Sequence, residues 1–187
     1  MRPVEYAVFL RGVNVAGITV RMAPLRDCLA DLGLERIATY QQSGNATFTS
    51  GEPPRVLRPM IEEALTSTFS YAAHVLLYPM AELRTIVDGC PFPVTDGFHR
   101  YVVLCDSVGI ANELIEAAAP SAEGAGSDPV VRERVAPGER AVYWLCPRGS
   151  TLSTPFARII GRRKYRAVTT NRNLNTVEKM VRPDPAA

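Results

Sequence analysis

The sequence predicts an α+β protein of two halves, each with an antiparallel sheet covered by helices. β-prone apolar runs alternate with segments whose apolar residues recur at helical spacing, and the same order of elements occurs twice. The 187 residues can bury one large core or two small ones. A content of 47% hydrophobic and 21% charged residues is typical of a folded globular protein.

The first half opens with the apolar run 6–10, which predicts a strand followed by a glycine-bearing loop. Pro24 suits the first turn of a helix that ends at Gly33. Two β-prone segments, 36–41 and 46–49, are joined by residues with hairpin-turn chemistry. We expect these two segments to pair as antiparallel strands.

A helix with apolar positions between 57 and 65 and a strand at 75–78 complete the order βαββαβ. This order defines the ferredoxin-like unit, in which two helices cover one face of a four-stranded antiparallel sheet. The sequence therefore predicts a ferredoxin-like N-terminal half over residues 1–78, then a connecting helix and loop over 79–98.

Residues 99–187 are predicted to form a second ferredoxin-like half with a basic C-terminal segment. Its predicted elements are, in order, a strand at 101–105, a helix at 110–118, a small-residue loop at 120–128, strands at 130–135 and 141–146, a helix from Pro155 to Gly161, a strand at 167–170 and a short closing helix. The two halves repeat in topology only, since they share no visible residue pattern.

Targeting and metal-binding signals are weak in this sequence. The first apolar run is five residues long, too short for a signal peptide or a membrane span, so we expect a cytoplasmic protein. The four cysteines lie far apart without a C-x-x-C pair, and there are two histidines. We expect neither a metal site nor a cofactor.

Basic residues are concentrated near the C-terminus. The formal net charge is +2, yet residues 140–177 contain no acidic residue. They carry eight basic ones, namely Arg140, Arg148, Arg158, Arg162, Arg163, Lys164, Arg166 and Arg172. This asymmetry predicts a phosphate-bearing small molecule or a nucleic acid as partner. The alternative is a solvated arginine-rich face.

Three motifs add a family resemblance. They are R-G-V-N-V-A-G at 11–17, T-Y-Q-Q-S-G-N at 39–45 and T-T-N-R-N-L-N-T-V at 169–177. In this order they resemble the bacterial family known as domain of unknown function 1697, although the third motif has one extra residue and lacks the family's tryptophan. The resemblance spans nearly the whole chain and implies a two-part α+β fold. It implies no activity.

The same three segments supply the candidate ligand-binding residues. These are Arg11, Asn14, Ser43, Asn45, Thr170, Arg172, Asn173 and Asn175. A glycine-bearing loop before a helix favours an anion near Arg11 and Asn14, but the glycines also suit a simple turn with an asparagine cap. The sequence leaves open whether the three segments form one site.

The other candidate ligand-binding residues can also be explained by turns and helix caps, without a ligand. Ser43 and Asn45 could contact a ligand, yet a tight hairpin turn needs the same residue types. Asn175 and Glu178 have capping-box spacing. The basic residues from Arg162 to Arg166 predict a phosphate-binding surface, with Tyr165 available for stacking.

Three hypotheses for function follow, and the sequence leaves open whether the protein is an enzyme. The first is a binding module for a nucleotide or nucleic acid. The second is a phosphate-handling hydrolase resembling acylphosphatases, with Arg21 and Asn45 in roughly the places that such enzymes use. The third is an interaction scaffold or homodimer. No catalytic residue is identified.

Overall fold

The computed structural model describes residues 2–11, 20–40, 44–124 and 133–182. The chain divides into two compact units. Unit 1 comprises Met1–Arg84 and Lys179–Ala187, and unit 2 comprises Thr85–Glu178.

Unit 1 begins with the order βαββαβ in its described residues. The elements are β1 (Val4–Arg11), α1 (Met22–Asp31), β2 (Glu35–Tyr40), β3 (Asn45–Ser50), α2 (Pro54–Phe69), β4 (His74–Pro79) and α3 (Met80–Asp88), of which α3 continues into unit 2. The four described strands form one antiparallel sheet in the order β2-β3-β1-β4.

The core of unit 1 lies between this sheet and two helices. In α1 the residues Leu25, Cys28 and Leu29 are buried, and in α2 the spacing of Leu57, Ile61 and Leu65 places all three on one face. They pack in one apolar cluster with alternate residues of the strands, among them Val8, Phe48 and Val75. The helical periodicity of the sequence therefore marks the core correctly.

Unit 2 repeats this architecture. Its elements are β5 (Phe98–Cys105), α4 (Val108–Gly124), β6 (Arg134–Pro137), β7 (Ala141–Pro147), α5 (Pro155–Ile160), β8 (Thr169–Asn173) and α6 (Leu174–Val181), of which α6 continues into unit 1. The described strands form an antiparallel sheet in the order β6-β7-β5-β8, equivalent to that of unit 1. The predicted α+β fold of two ferredoxin-like halves is confirmed.

Two local predictions for unit 2 are wrong. The sequence predicts a small-residue loop from Pro120, but α4 continues through Pro120 to Gly124, although proline removes one backbone hydrogen bond from a helix. Residues Asn171 to Asn173 were expected outside the strand, but β8 includes them because they pair with β5. This pairing is a long-range interaction that overrides weak local β-propensity.

The sheet faces opposite the helix pairs α1/α2 and α4/α5 are also buried, and we call each of them the second face. In unit 1 the second face carries Ala7, Phe9, Leu76 and Tyr78, all with 0% exposure. In unit 2 it carries Val102, Leu104, Tyr143 and Leu145, of which Leu145 is the most exposed at 4%. Because side chains alternate between faces, the inner strands need apolar residues at consecutive positions.

A single carboxylate anchors α5 in unit 2. Glu133 Oε2 accepts a hydrogen bond of 2.7 Å from the indole N–H of Trp144, and Oε1 accepts one of 2.8 Å from the backbone N–H of Phe156. Thr154 caps the same helix by accepting from the N–H of Ala157. Glu133 therefore links the core strand β7 to the first turn of α5.

Tyr143 fixes the end of α3 within unit 2. Its hydroxyl donates a buried hydrogen bond of 2.7 Å to the carbonyl of Ile86, and burial raises the pKa of Tyr143 to about 12. A Cβ atom added at Gly89 would lie 2.9 Å from this hydroxyl oxygen. Glycine at position 89 therefore leaves the space that the tyrosine hydroxyl occupies.

We expect Gly89→Ala to lower the free energy of unfolding by about 1–3 kcal/mol through overpacking, and Tyr143→Phe to lower it by about 1 kcal/mol through the lost hydrogen bond. The double variant should lose less than the sum, because removing the hydroxyl makes room for the methyl group. Urea denaturation of all three variants measures this.

Gly109→Ala is the matched control, since a Cβ there would meet no described atom closer than 3.7 Å. It should not destabilise the protein, because alanine is the better helix former. Strict additivity of the Gly89 and Tyr143 substitutions would contradict the described contact.

Candidate functional site

Two of the candidate residues in unit 1 lie on the second face of the sheet, opposite α1 and α2. Phe9 of β1 pairs with Asn45 of β3, and Arg11 follows two residues later on the same face. Diagonal neighbours on adjacent antiparallel strands are roughly 7–8 Å apart. The structure therefore brings Arg11 and Asn45 together at one end of the sheet. Asn14 and Ser43 lie outside the described residues.

Asn45 has a structural role in the β2–β3 hairpin. Its side chain is 0% exposed, and Nδ2 donates a hydrogen bond of 3.2 Å to the carbonyl of Tyr40. Gly44, with φ of +69°, supplies the left-handed conformation that the turn requires. Asn45 does not reach solvent, so the hairpin interpretation of this residue is favoured over direct ligand contact.

We expect Asn45→Ala to lower the free energy of unfolding by about 1–3 kcal/mol, because buried polar groups of the hairpin lose their partner. Thr49→Ala is the control, since Thr49 is half-buried on the same strand. Chemical denaturation followed by circular dichroism measures both. An unchanged midpoint for Asn45→Ala would show that the hairpin does not depend on this amide.

In unit 2, Thr170 and Arg172 share the second face of the edge strand β8, opposite α4 and α5. They pair with Leu104 and Val102 of β5. Arg172 Nη1 donates hydrogen bonds of 2.7 Å to Thr170 Oγ1 and 3.0 Å to the carbonyl of Asn171. Thr170 is fully buried. The Arg172 guanidinium is thus held against its own strand.

Asn173 caps helix α6. Its Oδ1 accepts a hydrogen bond of 3.0 Å from the backbone N–H of Asn175. The predicted capping box between Asn175 and Glu178 is wrong, because α6 begins at Leu174 and the preceding residue takes the cap position. Asn175 is exposed within the first turn instead.

Arg100 is a member of this polar group that the sequence analysis missed. Its Nη2 donates to Glu178 Oε1 at 3.2 Å and to Asn175 Oδ1 at 3.5 Å, and its side chain is 17% exposed. It lies two residues before Val102, the partner of Arg172, and therefore on the same face. The alternation of side chains between the two faces of β5 could have identified Arg100 from the sequence.

The candidate residues thus form one group in each unit. Arg11 and Asn45 belong to unit 1, whereas Thr170, Arg172, Asn173 and Asn175 belong to unit 2. A single site that unites all three segments stays a prediction. In unit 2 the carboxylate of Glu178 balances the charge of Arg100, so this group is largely satisfied by its own hydrogen bonds.

Tyr165, predicted to be available for stacking, is buried at 1% exposure. It packs in the core with Phe156, and its hydroxyl donates to Glu113 Oε1 at 3.1 Å. Lys164 forms an ion pair with the same carboxylate and lies with Nζ 4.8 Å from the centre of the Tyr165 ring. The stacking prediction is therefore wrong, since the ring faces the core and Lys164 covers it.

Hydrogen bonds from Lys164 and Tyr165 lower the pKa of Glu113 below its ordinary 4.5. Hydrogen bonds to Glu113 and Tyr165 raise the pKa of Lys164 above its ordinary 10.5. Glu113 lies on α4, so this exposed contact ties the 3-10 turn Arg163–Tyr165 to that helix.

Three other basic residues lie on α5 or directly after it. Arg158, Arg162 and Arg163 are exposed, and their guanidinium groups make no hydrogen bond or ion pair with any residue that the structure describes. We call these three residues the arginine surface. Glu113 neutralises Lys164, whereas no carboxylate in the described part of the chain pairs with the arginine surface.

The sequence of this chain matches a known protein family. Residues 4–143 match the model of a family described as "Protein of unknown function (DUF1697)". The chain belongs to the DUF1697 family. The family description assigns no activity, and no protein with a curated description matches this DUF1697 chain.

A solved structure shows the same fold. The conserved bacterial protein SP0830 from Streptococcus pneumoniae matches with a TM-score of 0.73 and 22% identity, over 96% of the DUF1697 chain and 97% of its own. An unknown protein from Galdieria sulphuraria shares 14% identity over 91% and 96% of the two chains, but its TM-score of 0.25 supports no inference. The first likeness establishes the fold alone.

Thiol and metal chemistry find little support in the described part of this DUF1697 chain. All four cysteines are free, and burial raises the pKa of Cys105 to about 12 and that of Cys146 to about 11. The described residues contain no cluster of three or more histidine, cysteine, aspartate or glutamate side chains that could hold a metal ion. None of the described helices is both long and apolar enough to cross a membrane.

The Glu113 contact of the DUF1697 chain predicts a pH dependence. Because its folded pKa is lowered, Glu113 should stabilise the fold above about pH 4.5, and this contribution should vanish as pH falls through the folded pKa. Lys164, with a raised pKa, should contribute below about pH 10.5 and lose its contribution as pH rises through the folded value.

We therefore expect Glu113→Gln to be less stable than the wild type between these limits and equally stable in acid. Urea denaturation across the pH range measures the difference, which should narrow at high salt because the pair is exposed. Glu116→Gln, at an exposed position on the same helix, is the control. A difference that does not depend on pH would contradict this assignment.

Proposed function

We propose that this DUF1697 protein binds a phosphate-bearing ligand, a nucleotide or a nucleic acid, through the arginine surface of unit 2. The observation that supports the proposal is the set of exposed guanidinium groups of Arg158, Arg162 and Arg163, which no described carboxylate balances. Arginine suits phosphate because its planar group donates two parallel hydrogen bonds. The 140–177 segment contains no acidic residue that could compete.

The chain carries two of these arginines one turn apart at the end of α5. Gly161 has φ of −72° and ψ of −13°, and Arg162 has φ of −61° before its ψ becomes extended at 143°. The N–H of Arg162 donates to the carbonyl of Ile159 at 3.1 Å, the i→i−3 bond of a tightened last turn. Arg158 and Arg162 are thus four residues apart in sequence, the spacing at which residues of a helix are neighbours.

Repulsion between these two like charges destabilises the helix, and a bound anion would remove that repulsion. Two like charges at i,i+4 spacing destabilise a helix by about 0.2–0.5 kcal/mol. A phosphate group between the two guanidinium groups would replace this repulsion by charge-assisted hydrogen bonds. The other basic groups are less suitable, since Lys164 pairs with Glu113 and Arg100 pairs with Glu178.

The acylphosphatase-like hydrolase receives less support. It needs Asn45 to orient a water molecule, but Asn45 has no solvent exposure and its amide donates to Tyr40. Arg21 precedes α1 and is exposed. A catalytic amide must lie within hydrogen-bond reach of the reacting group, which a buried hairpin residue does not achieve in this conformation.

We expect Arg158→Ala/Arg162→Ala to weaken binding of pyrophosphate, ATP or a short oligonucleotide by at least about tenfold, since hydrogen bonds between charged groups contribute about 1.5–3 kcal/mol each. Titration calorimetry at low salt measures the dissociation constants. A thermal-shift screen with the same ligands gives an independent readout.

The control is Arg2→Ala/Arg55→Ala, which removes the same charge from exposed positions of unit 1. It should bind as the wild type does. Equal weakening in both variants would show that net charge alone attracts the ligand, and the absence of binding in the wild type would overturn the proposal.

A further inference from the structure

Resting on the function proposed above, we infer that the ligand of the arginine surface is the sugar-phosphate backbone of a nucleic acid, bound without reading the bases. Three observations support it, namely the exposure of all three arginines, the burial of the aromatic rings in the same segment, and the anchoring of the turn that carries Arg163.

The arginine surface consists of three exposed residues around the end of α5. Arg158 lies on α5, and Arg162 and Arg163 follow one turn later, where Arg163 opens the 3-10 turn. Each guanidinium group can donate two parallel hydrogen bonds to a phosphate. A ligand with regularly spaced phosphates can satisfy all three groups, and a nucleic acid has such a backbone.

The segment 155–166, which carries the arginine surface, has no exposed aromatic ring for bases. Proteins that hold single-stranded nucleic acid stack bases on exposed aromatic rings. Phe156 and Tyr165, the aromatic residues of this segment, are each 1% exposed, and the hydroxyl of Tyr165 donates to Glu113. Binding at the arginine surface should therefore be independent of sequence.

The segment that carries Arg163 is held in place before any ligand binds. The backbone N–H of Tyr165 donates to the carbonyl of Arg162 at 3.0 Å, and the N–H of Arg162 donates to Ile159 at 3.1 Å. Glu113 binds both Lys164 and Tyr165. Anchoring of this kind lowers the conformational entropy lost on binding.

A lipid surface fits these observations less well. Helices that bind membranes insert an apolar face while basic residues contact the headgroups. In α5 the apolar residues Phe156, Ala157 and Ile159 are buried in the core of unit 2. The helix therefore has no apolar face left for insertion, and its arginines are better suited to a backbone of phosphates in water.

The experiment is fluorescence anisotropy of the full chain with labelled oligonucleotides of about 16 nucleotides, the upper range of single-module site sizes. An oligothymidylate, a mixed-sequence DNA and an RNA of that sequence should bind within about threefold of one another, because phosphate contacts carry no sequence information. Between about 50 and 200 mM salt, log K should fall against log salt with a slope of about −2 to −3 for three contacts.

Each arginine variant should remove part of this salt dependence. Arg163→Ala should reduce it by about one and weaken all oligonucleotides uniformly, and Arg158→Ala/Arg162→Ala should reduce it by about two. Arg2→Ala/Arg55→Ala should keep the wild-type slope. Circular dichroism of each variant establishes that it is folded.

The outcomes separate this inference from the proposed function. Binding of pyrophosphate or ATP that depends on Arg158 and Arg162, without oligonucleotide binding, would leave the proposed function standing and overturn the inference. A preference of more than about tenfold for one sequence would overturn binding without base reading. Binding to vesicles of phosphatidylserine and phosphatidylcholine, without oligonucleotide binding, would overturn the inference in favour of a lipid surface. No binding of any phosphate ligand would overturn both.

Discussion

The inner strands of each sheet carry apolar side chains on both faces, and this burial decides where polar chemistry can lie. Positions 7–9 of β1 and 102–105 of β5 are all fully buried, so a charged group at any of them would lose its hydration without a partner. The candidate polar groups therefore lie at strand ends, on the edge strand β8 and around the end of α5. The arginine surface belongs to the last of these.

Much of the fold follows from patterns that are local in the sequence. The i,i+4 spacing of Leu57, Ile61 and Leu65 defines the buried face of α2 before any tertiary contact is known. Pro155 and Gly161 likewise mark the ends of α5. β8 is different, because its sequence Thr-Thr-Asn-Arg-Asn has no apolar alternation and becomes a strand by pairing with β5. A distant partner of this kind leaves no local signal.

The candidate site was harder to predict for the same reason. In the sequence the basic residues from Arg158 to Arg172 look equivalent, but in the structure Lys164 pairs with Glu113, a carboxylate 51 residues away. Arg100, which lies outside that segment, pairs with Glu178, 78 residues away. Tyr165 illustrates the same limit, since basic neighbours suggest an exposed ring while its own packing is with the core. Which cations remain unpaired is a property of the fold.

The bond between Glu133 and Trp144 gives unit 2 an internal optical probe. Trp144 is the protein's one tryptophan, it is fully buried, and the carboxylate that holds its indole N–H also holds the first turn of α5. Intrinsic emission of the protein therefore originates at a position coupled to the helix that carries Arg158. Displacement of α5 would break this shared contact and change the polarity around the indole, so the wavelength of emission reports on the docking of that helix without any added label.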